Sequence, residues 1–153
     1  MRKIVFILFG FMLPFFLQSC DDEEQILPRE DFFVAFQSTS GTVQKNAAAP
    51  AAIPVYVAAE RGDAVSVTIG VDTENSTAIE GTDFEFVHGP ELNFPIGAGY
   101  DTLRIQPIPG GTEGNLILEL FLQNNSAGYK MGFFYGEEAD STSHDRFLLT
   151  IIE

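Results

Sequence analysis

The chain predicts an all-β domain, a sandwich of two antiparallel sheets with about seven strands. Three observations carry that expectation. Apolar residues recur at every second position in several short runs. Glycine, proline, asparagine and aspartate cluster between those runs. No window holds a sustained helical period with caps at its ends.

The runs follow in order along the chain. Phe33 and Ala35 open the pattern, and the Ser/Thr/Gly-rich stretch from Gln37 to Thr42 reads as a turn. Ile53, Val55 and Val57 alternate with Pro54, Tyr56 and Ala58. Val65, Val67, Ile69 and Val71 alternate with Ser66, Thr68 and Gly70. Leu103 and Ile105 alternate with Thr102, Arg104 and Gln106. Leu116, Leu118, Leu120 and Leu122 follow, and the intervening Ile117 and Phe121 make both faces apolar, as in a central strand. Phe147, Leu149 and Ile151 close the series. Alternation of this kind places one face in a core and the other towards solvent.

The breaks carry turn chemistry. They are Arg61-Gly62-Asp63, Glu80-Gly81-Thr82-Asp83, His88-Gly89-Pro90, Pro109-Gly110-Gly111 and Asn124-Asn125-Ser126. The alanines from Ala47 to Ala52 do not form a helix, because Pro50 interrupts them and Pro54 follows.

The N-terminal residues have a different composition. Met1-Arg2-Lys3 precede an apolar run from Ile4 to Leu17, the pattern of a secretory signal. The run is shorter than the ~20 residues of a spanning helix, and Pro14 lies inside it. Leu17-Gln18-Ser19-Cys20 then resembles the lipobox of bacterial lipoproteins, with Gln18 a departure from the commoner small or apolar residue. The resemblance implies cleavage before Cys20 and lipid on its thiol. Two or more acyl chains, at about 0.8 kcal/mol per buried CH₂, anchor a protein stably to a membrane. Asp21-Asp22-Glu23-Glu24 comes next. Such a run is ordinarily a solvated tether. It also resembles the acidic export signal of some gram-negative surface lipoproteins, which implies the outer face of the outer membrane. The expected organisation is a signal peptide over 1–19, a lipidated cysteine and acidic tether over 20–30, and a β-sandwich over 31–153.

Charge and cysteine content narrow the function classes. Removing Arg2 and Lys3 with the signal takes the net charge from −14 to −16. That argues against recognition of nucleic acid or anionic lipid through general electrostatics. Cys20 is the single cysteine, so intramolecular disulfides are excluded and the core must stabilise the domain.

Residues 78–122 are more specific. Ala78-Ile79-Glu80-Gly81-Thr82-Asp83-Phe84 is followed by Leu92-Asn93-Phe94-Pro95-Ile96-Gly97, then Asp101-Thr102-Leu103-Arg104-Ile105, then Glu113-Gly114 before a strand. This succession resembles the Calx-beta domain and related domains of uncharacterised bacterial surface lipoproteins, over roughly Asp31 to Ile152. The resemblance implies an immunoglobulin-like sandwich. Residue chemistry gives the motif its own meaning. Gly81 suits a positive φ, and Asp83 can accept hydrogen bonds from turn amides. Phe84 and Phe86 fall on one side, near Phe94, and Pro95 with Gly97 ends a strand.

The resemblance also raises calcium. Calx-beta domains of exchangers bind it through clustered carboxylates at one end of the sandwich. Asp83 and Glu113 match two acidic positions of that pattern, and they are the only metal candidates. Pro109-Gly110-Gly111 stands where the family has paired aspartates, and Gln44-Lys45 where it has a glutamate before glycine. Calcium takes about 6–8 oxygen ligands, so the expectation is no specific calcium site and no cofactor.

No catalytic constellation stands out. His88 and His144 read as exposed loop residues, no serine sits in a Gly-x-Ser-x-Gly elbow, and Glu137-Glu138 reads as solvated charge. The aromatic stretch from Tyr129 to Tyr135 reads as core packing, with an exposed platform as its functional alternative. The expected function is therefore a non-enzymatic envelope module that is attached to the membrane through Cys20 and binds a protein. The alternative is a glycan-binding accessory lipoprotein.

Overall fold

The computed structural model describes residues 32–58, 61–132 and 144–153. Cys20, the acidic run Asp21, Asp22, Glu23 and Glu24, the Glu137-Glu138 pair, and Phe133, Phe134 and Tyr135 lie outside them. Ten strands occur among the described residues and no helix. They are β1 (Phe33–Phe36), β2 (Ser40–Gln44), β3 (Ala51–Val57), β4 (Val65–Val71), β5 (Phe84–Phe86), β6 (Glu91–Phe94), β7 (Tyr100–Pro107), β8 (Leu116–Asn125), β9 (Lys130–Met131) and β10 (Arg146–Ile152). They form two five-stranded sheets, ordered β5-β7-β3-β1-β9 and β2-β10-β8-β4-β6.

The two-sheet sandwich expected from the alternation is present, and its strand list is longer. β3, β4, β7, β8 and β10 coincide with the alternating runs. β2 occupies residues that read as a turn. The first strand of the domain is in effect split: β1 pairs antiparallel with β3 in one sheet, and after Gln37–Thr39 β2 pairs parallel with β10 in the other. A second parallel pairing joins β1 to β9. Strands that change sheets at a bend are a known way of closing a sandwich corner.

β8 is central in its sheet, as its two apolar faces predict. Its inward side chains Leu116, Leu118, Leu120 and Leu122 are buried with Phe147, Leu149 and Ile151 of β10. Val34, Phe36, Ile53, Val55, Leu103 and Ile105 face them from the opposite sheet. Phe84, Phe86 and Phe94 join the same cluster, with Phe84 and Phe86 edge to face at 5.7 Å. Each large buried side chain of this kind contributes roughly 1.5–3 kcal/mol of transfer free energy. That is how the domain dispenses with disulfides.

On the outer face of its sheet β8 stays amphipathic. Ile117 is 39% exposed, while the Phe121 ring lies under the Arg146 guanidinium at 5.9 Å. Arg146 also donates to Asp72 at 2.8 Å and to Glu119. Hydrogen bonds from Arg146 and then Asn75 outweigh desolvation and hold the Asp72 carboxyl at about 2. The sign follows from linkage. A carboxyl depressed in the folded state stabilises fully above its unfolded value near 4, and that contribution is lost as pH falls towards 2. Stability should therefore decline between about pH 4 and about pH 2, and Arg146→Met should flatten this part of the profile. Urea midpoints across the acid range would check it; identical slopes in the two proteins would count against the assignment.

Candidate functional site

The sequence nominates one end of the sandwich, where the turn before β5, the β7–β8 loop and the residues after β2 and β10 converge. The turn is built by Asp83. Its side chain is 1% exposed. Oδ2 accepts from the Ile79 amide at 2.8 Å and from the Thr112 hydroxyl at 3.1 Å, and Oδ1 accepts from the Thr112 amide at 2.6 Å. The Asp83 carbonyl also accepts the Ile108 amide at 2.8 Å. Gly81 takes φ 77°, the left-handed geometry that the turn requires. Burial pushes the Asp83 carboxyl up. The amides of Ile79 and Thr112, the Thr112 hydroxyl and the nearby Lys45 charge reverse that, leaving it below the usual carboxylate range. A carboxylate whose lone pairs are already engaged by protein donors is a strut for the loop.

Glu113 is brought to the same loop but points outward and is exposed. The two candidates therefore differ in kind: Asp83 is enclosed, Glu113 is solvated. Among the described residues no three histidine, cysteine or carboxylate side chains are grouped so as to hold a metal ion.

The cation at this end is the chain's own. Lys45 Nζ donates to the Thr112 carbonyl at 2.6 Å, to the Gly114 carbonyl at 2.9 Å, and to Glu153 Oε1 at 3.5 Å. Glu153 Oε1 also accepts the Gly114 amide at 2.7 Å. That amide, followed by the Lys45 charge, lowers the Glu153 carboxyl. Asp83 on one side and Lys45 with Glu153 on the other thus clamp residues 112–114. The ammonium belongs to the Gln44-Lys45 pair, at the residue after the one that replaces the glutamate of the resembled pattern. The role of Lys45 has no local signal in the sequence, because its partners lie 67 to 108 residues away.

One other expectation is corrected. His144 is half-buried rather than a free loop residue. Its Nδ1 lies 2.9 Å from the Phe36 carbonyl, and its own carbonyl accepts the Phe36 amide at 2.9 Å. His88 is exposed, as expected. Arg61, read as part of a turn, is 2% exposed. It donates to the carbonyls of Ala58 at 2.6 Å and Pro95 at 2.8 Å, with its guanidinium 5.8 Å from the Phe94 ring. It ties the β3–β4 connection to the end of β6.

The aromatic stretch is described only at its start. Tyr129 is half-buried and meets Phe32 edge-on at 5.5 Å. A different aromatic row lies on the outer face of the β5-β7-β3-β1-β9 sheet. Tyr56 sits 5.2 Å from Phe33 and 5.1 Å from Tyr100, which is 57% exposed.

No family model matches the chain, and no curated protein matches it. Among solved structures it is similar to CBD12 from CALX1.2, a crystal structure, with a TM-score of 0.55 and 25% sequence identity. The match covers 78% of this chain and 43% of that one, so the chain spans less than half of the length of its structural neighbour. The fold is thus a Calx-beta-like β-sandwich, as the order of turn motifs implies.

Proposed function

We propose that this chain is a lipid-anchored cell-envelope protein, displayed at the outer membrane surface, whose sandwich is a non-enzymatic binding module for another protein. The carrying observation is the Calx-beta-like fold, since such domains are regulatory and non-catalytic. The clamped end agrees with it: the buried Asp83 and the half-buried Lys45 are engaged in holding backbone. Leu17 to Cys20 supports the anchor, and Asp21 to Glu24 support the address. Fold alone does not decide function, so the test addresses the site of action. Cells fed a labelled fatty acid should label the wild-type chain and not Cys20→Ala, which should leave the membrane fraction. Protease added to intact cells should degrade the mature chain. Unlabelled wild-type protein would refute the anchor, and full protection would refute surface display.

A second reading, glycan capture at the surface, is favoured by the Tyr56–Tyr100 pair. Aromatic faces on a sheet offer a flat apolar surface with a polar rim. A glycan array should then show binding that Tyr100→Ala removes. An array without hits would retire this reading.

A further inference from the structure

Four strands end the two sheets: β5, β9, β2 and β6. Exposed edges are ordinarily blunted, because free backbone groups recruit other chains. Three of these four are. β5 has three residues and carries Glu85, and β9 has two and carries Lys130. β6 starts with Glu91 and lies between Pro90 and Pro95. β2 differs. It runs for five residues, Ser40-Gly41-Thr42-Val43-Gln44, without proline or charge.

Its hydrogen-bonding direction follows from its neighbours. The Leu148 amide donates to the Thr39 carbonyl, and the Lys45 amide donates to the Ile152 carbonyl. In a parallel pair the residues of a strand alternate between the two sides. Thr39, Gly41, Val43 and Lys45 therefore turn their backbone groups towards β10. Ser40, Thr42 and Gln44 turn theirs outward, and all three are exposed. The Gln44 carbonyl is taken by the Ala47 amide. The N–H and C=O of Ser40 and Thr42 and the N–H of Gln44 face away from the sheet.

We propose that β2 is a strand-addition site, at which an extended segment of another protein joins the sheet as a sixth strand beside Ser40, Thr42 and Gln44. This assignment rests on the reading of the domain as an interaction module and specifies its surface. Backbone pairing supplies affinity, and alternate side chains supply selection. On the core side the added strand meets Val43 and the Phe147 ring, which lies over Gly41 within 2.9 Å of where a Cβ would stand; apolar residues fit there. On the outer side it meets Ser40, Thr42 and Gln44, which suit polar residues. The net charge of −14 selects between occupants. A second copy would bring equal charge and be repelled, whereas a segment flanked by lysine or arginine is attracted.

The test uses the full chain, isotopically labelled and held in detergent. The probe is a short synthetic peptide alternating threonine and valine with lysines at both ends. Its addition should shift the amide signals of Ser40, Thr42 and Gln44 and slow their hydrogen exchange. Thr42→Pro removes an outward N–H that no strand among the described residues uses, and proline is tolerated on such an edge. Its thermal melt should match wild type while peptide affinity falls roughly tenfold or more. A peptide with glutamates in place of the lysines should bind more weakly. Shifts confined to β6 or to the loops, or equal binding by Thr42→Pro, would overturn the site. Self-association of wild type that Thr42→Pro abolishes would replace the partner by a second copy. Cross-linking to envelope proteins that is identical in wild type and Thr42→Pro would sink the edge and leave the interaction module standing. Absence of both peptide binding and cross-linking would sink both.

Discussion

Asp83→Ala should destabilise the domain by about 3–5 kcal/mol, the sum expected when several charge-assisted hydrogen bonds to a buried carboxylate are lost together. The substitution removes the acceptors for the Ile79 amide, the Thr112 amide and the Thr112 hydroxyl together. Against the ~5–15 kcal/mol that holds a typical domain, that is a large share. Asp83→Asn should cost less. It keeps one acceptor oxygen and sets an amide against whichever donors faced the other. Gly111→Ala should resemble Asp83→Ala in kind, because its new methyl would collide with Asp83 Oδ1 and stand 2.7 Å from the Thr82 carbonyl. Thr112→Ser keeps the backbone amide and the hydroxyl and should be near neutral. Urea unfolding of the four variants gives the ranking. The ranking should be unchanged by a calcium chelator, because the partners of Asp83 are protein groups. A wild-type midpoint that drops with chelator to that of Asp83→Ala would show instead that Asp83 acts through a bound cation.

The sequence revealed strands in proportion to their length. In β3, β4, β7, β8 and β10, seven to ten residues each, alternation repeats often enough to be read. β2 has one buried side chain, Val43, so its polar residues read as a turn. β5 and β9 are too short to show a period at all. The parallel pairings are invisible locally, since they follow from the chain crossing between sheets at Gln37–Thr39. The candidate site divides the same way. That Asp83 would serve turn amides was legible from Gly81-Thr82-Asp83, because the Ile79 amide is four residues away. That it would also hold Thr112 was not, because Thr112 lies 29 residues further along the chain. Arg61 gave no signal. A guanidinium lodged among carbonyls is specified by where Ala58 and Pro95 come to lie, and those positions are set by the fold.

Lys45→Met should lower stability by about 1–3 kcal/mol, less than Asp83→Ala, and should loosen residues 112–114 in particular. Methionine keeps most of the apolar stem and removes the donors to Thr112 and Gly114. The Glu153 pair contributes little of this, because that carboxylate is 62% exposed and such pairs are worth about 0–1 kcal/mol. Amide exchange should therefore accelerate at Thr112 and Gly114 while β8 stays protected; uniform acceleration across the sheet would mean that Lys45 acts globally. Lys45→Ala asks more of the same end. It vacates a space bounded by the carbonyls of Thr112 and Gly114 and by the Glu153 carboxylate. Three such oxygens fall short of the about 6–8 that calcium needs, and the Asp83 oxygens are engaged elsewhere. Millimolar calcium should then fail to restore the melting temperature of Lys45→Ala, and wild type should give no stoichiometric heat on titration. Recovery of Lys45→Ala by calcium would mean that Glu113, exposed in the present loop, can swing in to complete a metal site, and that one lysine alone keeps this sandwich from being a calcium binder.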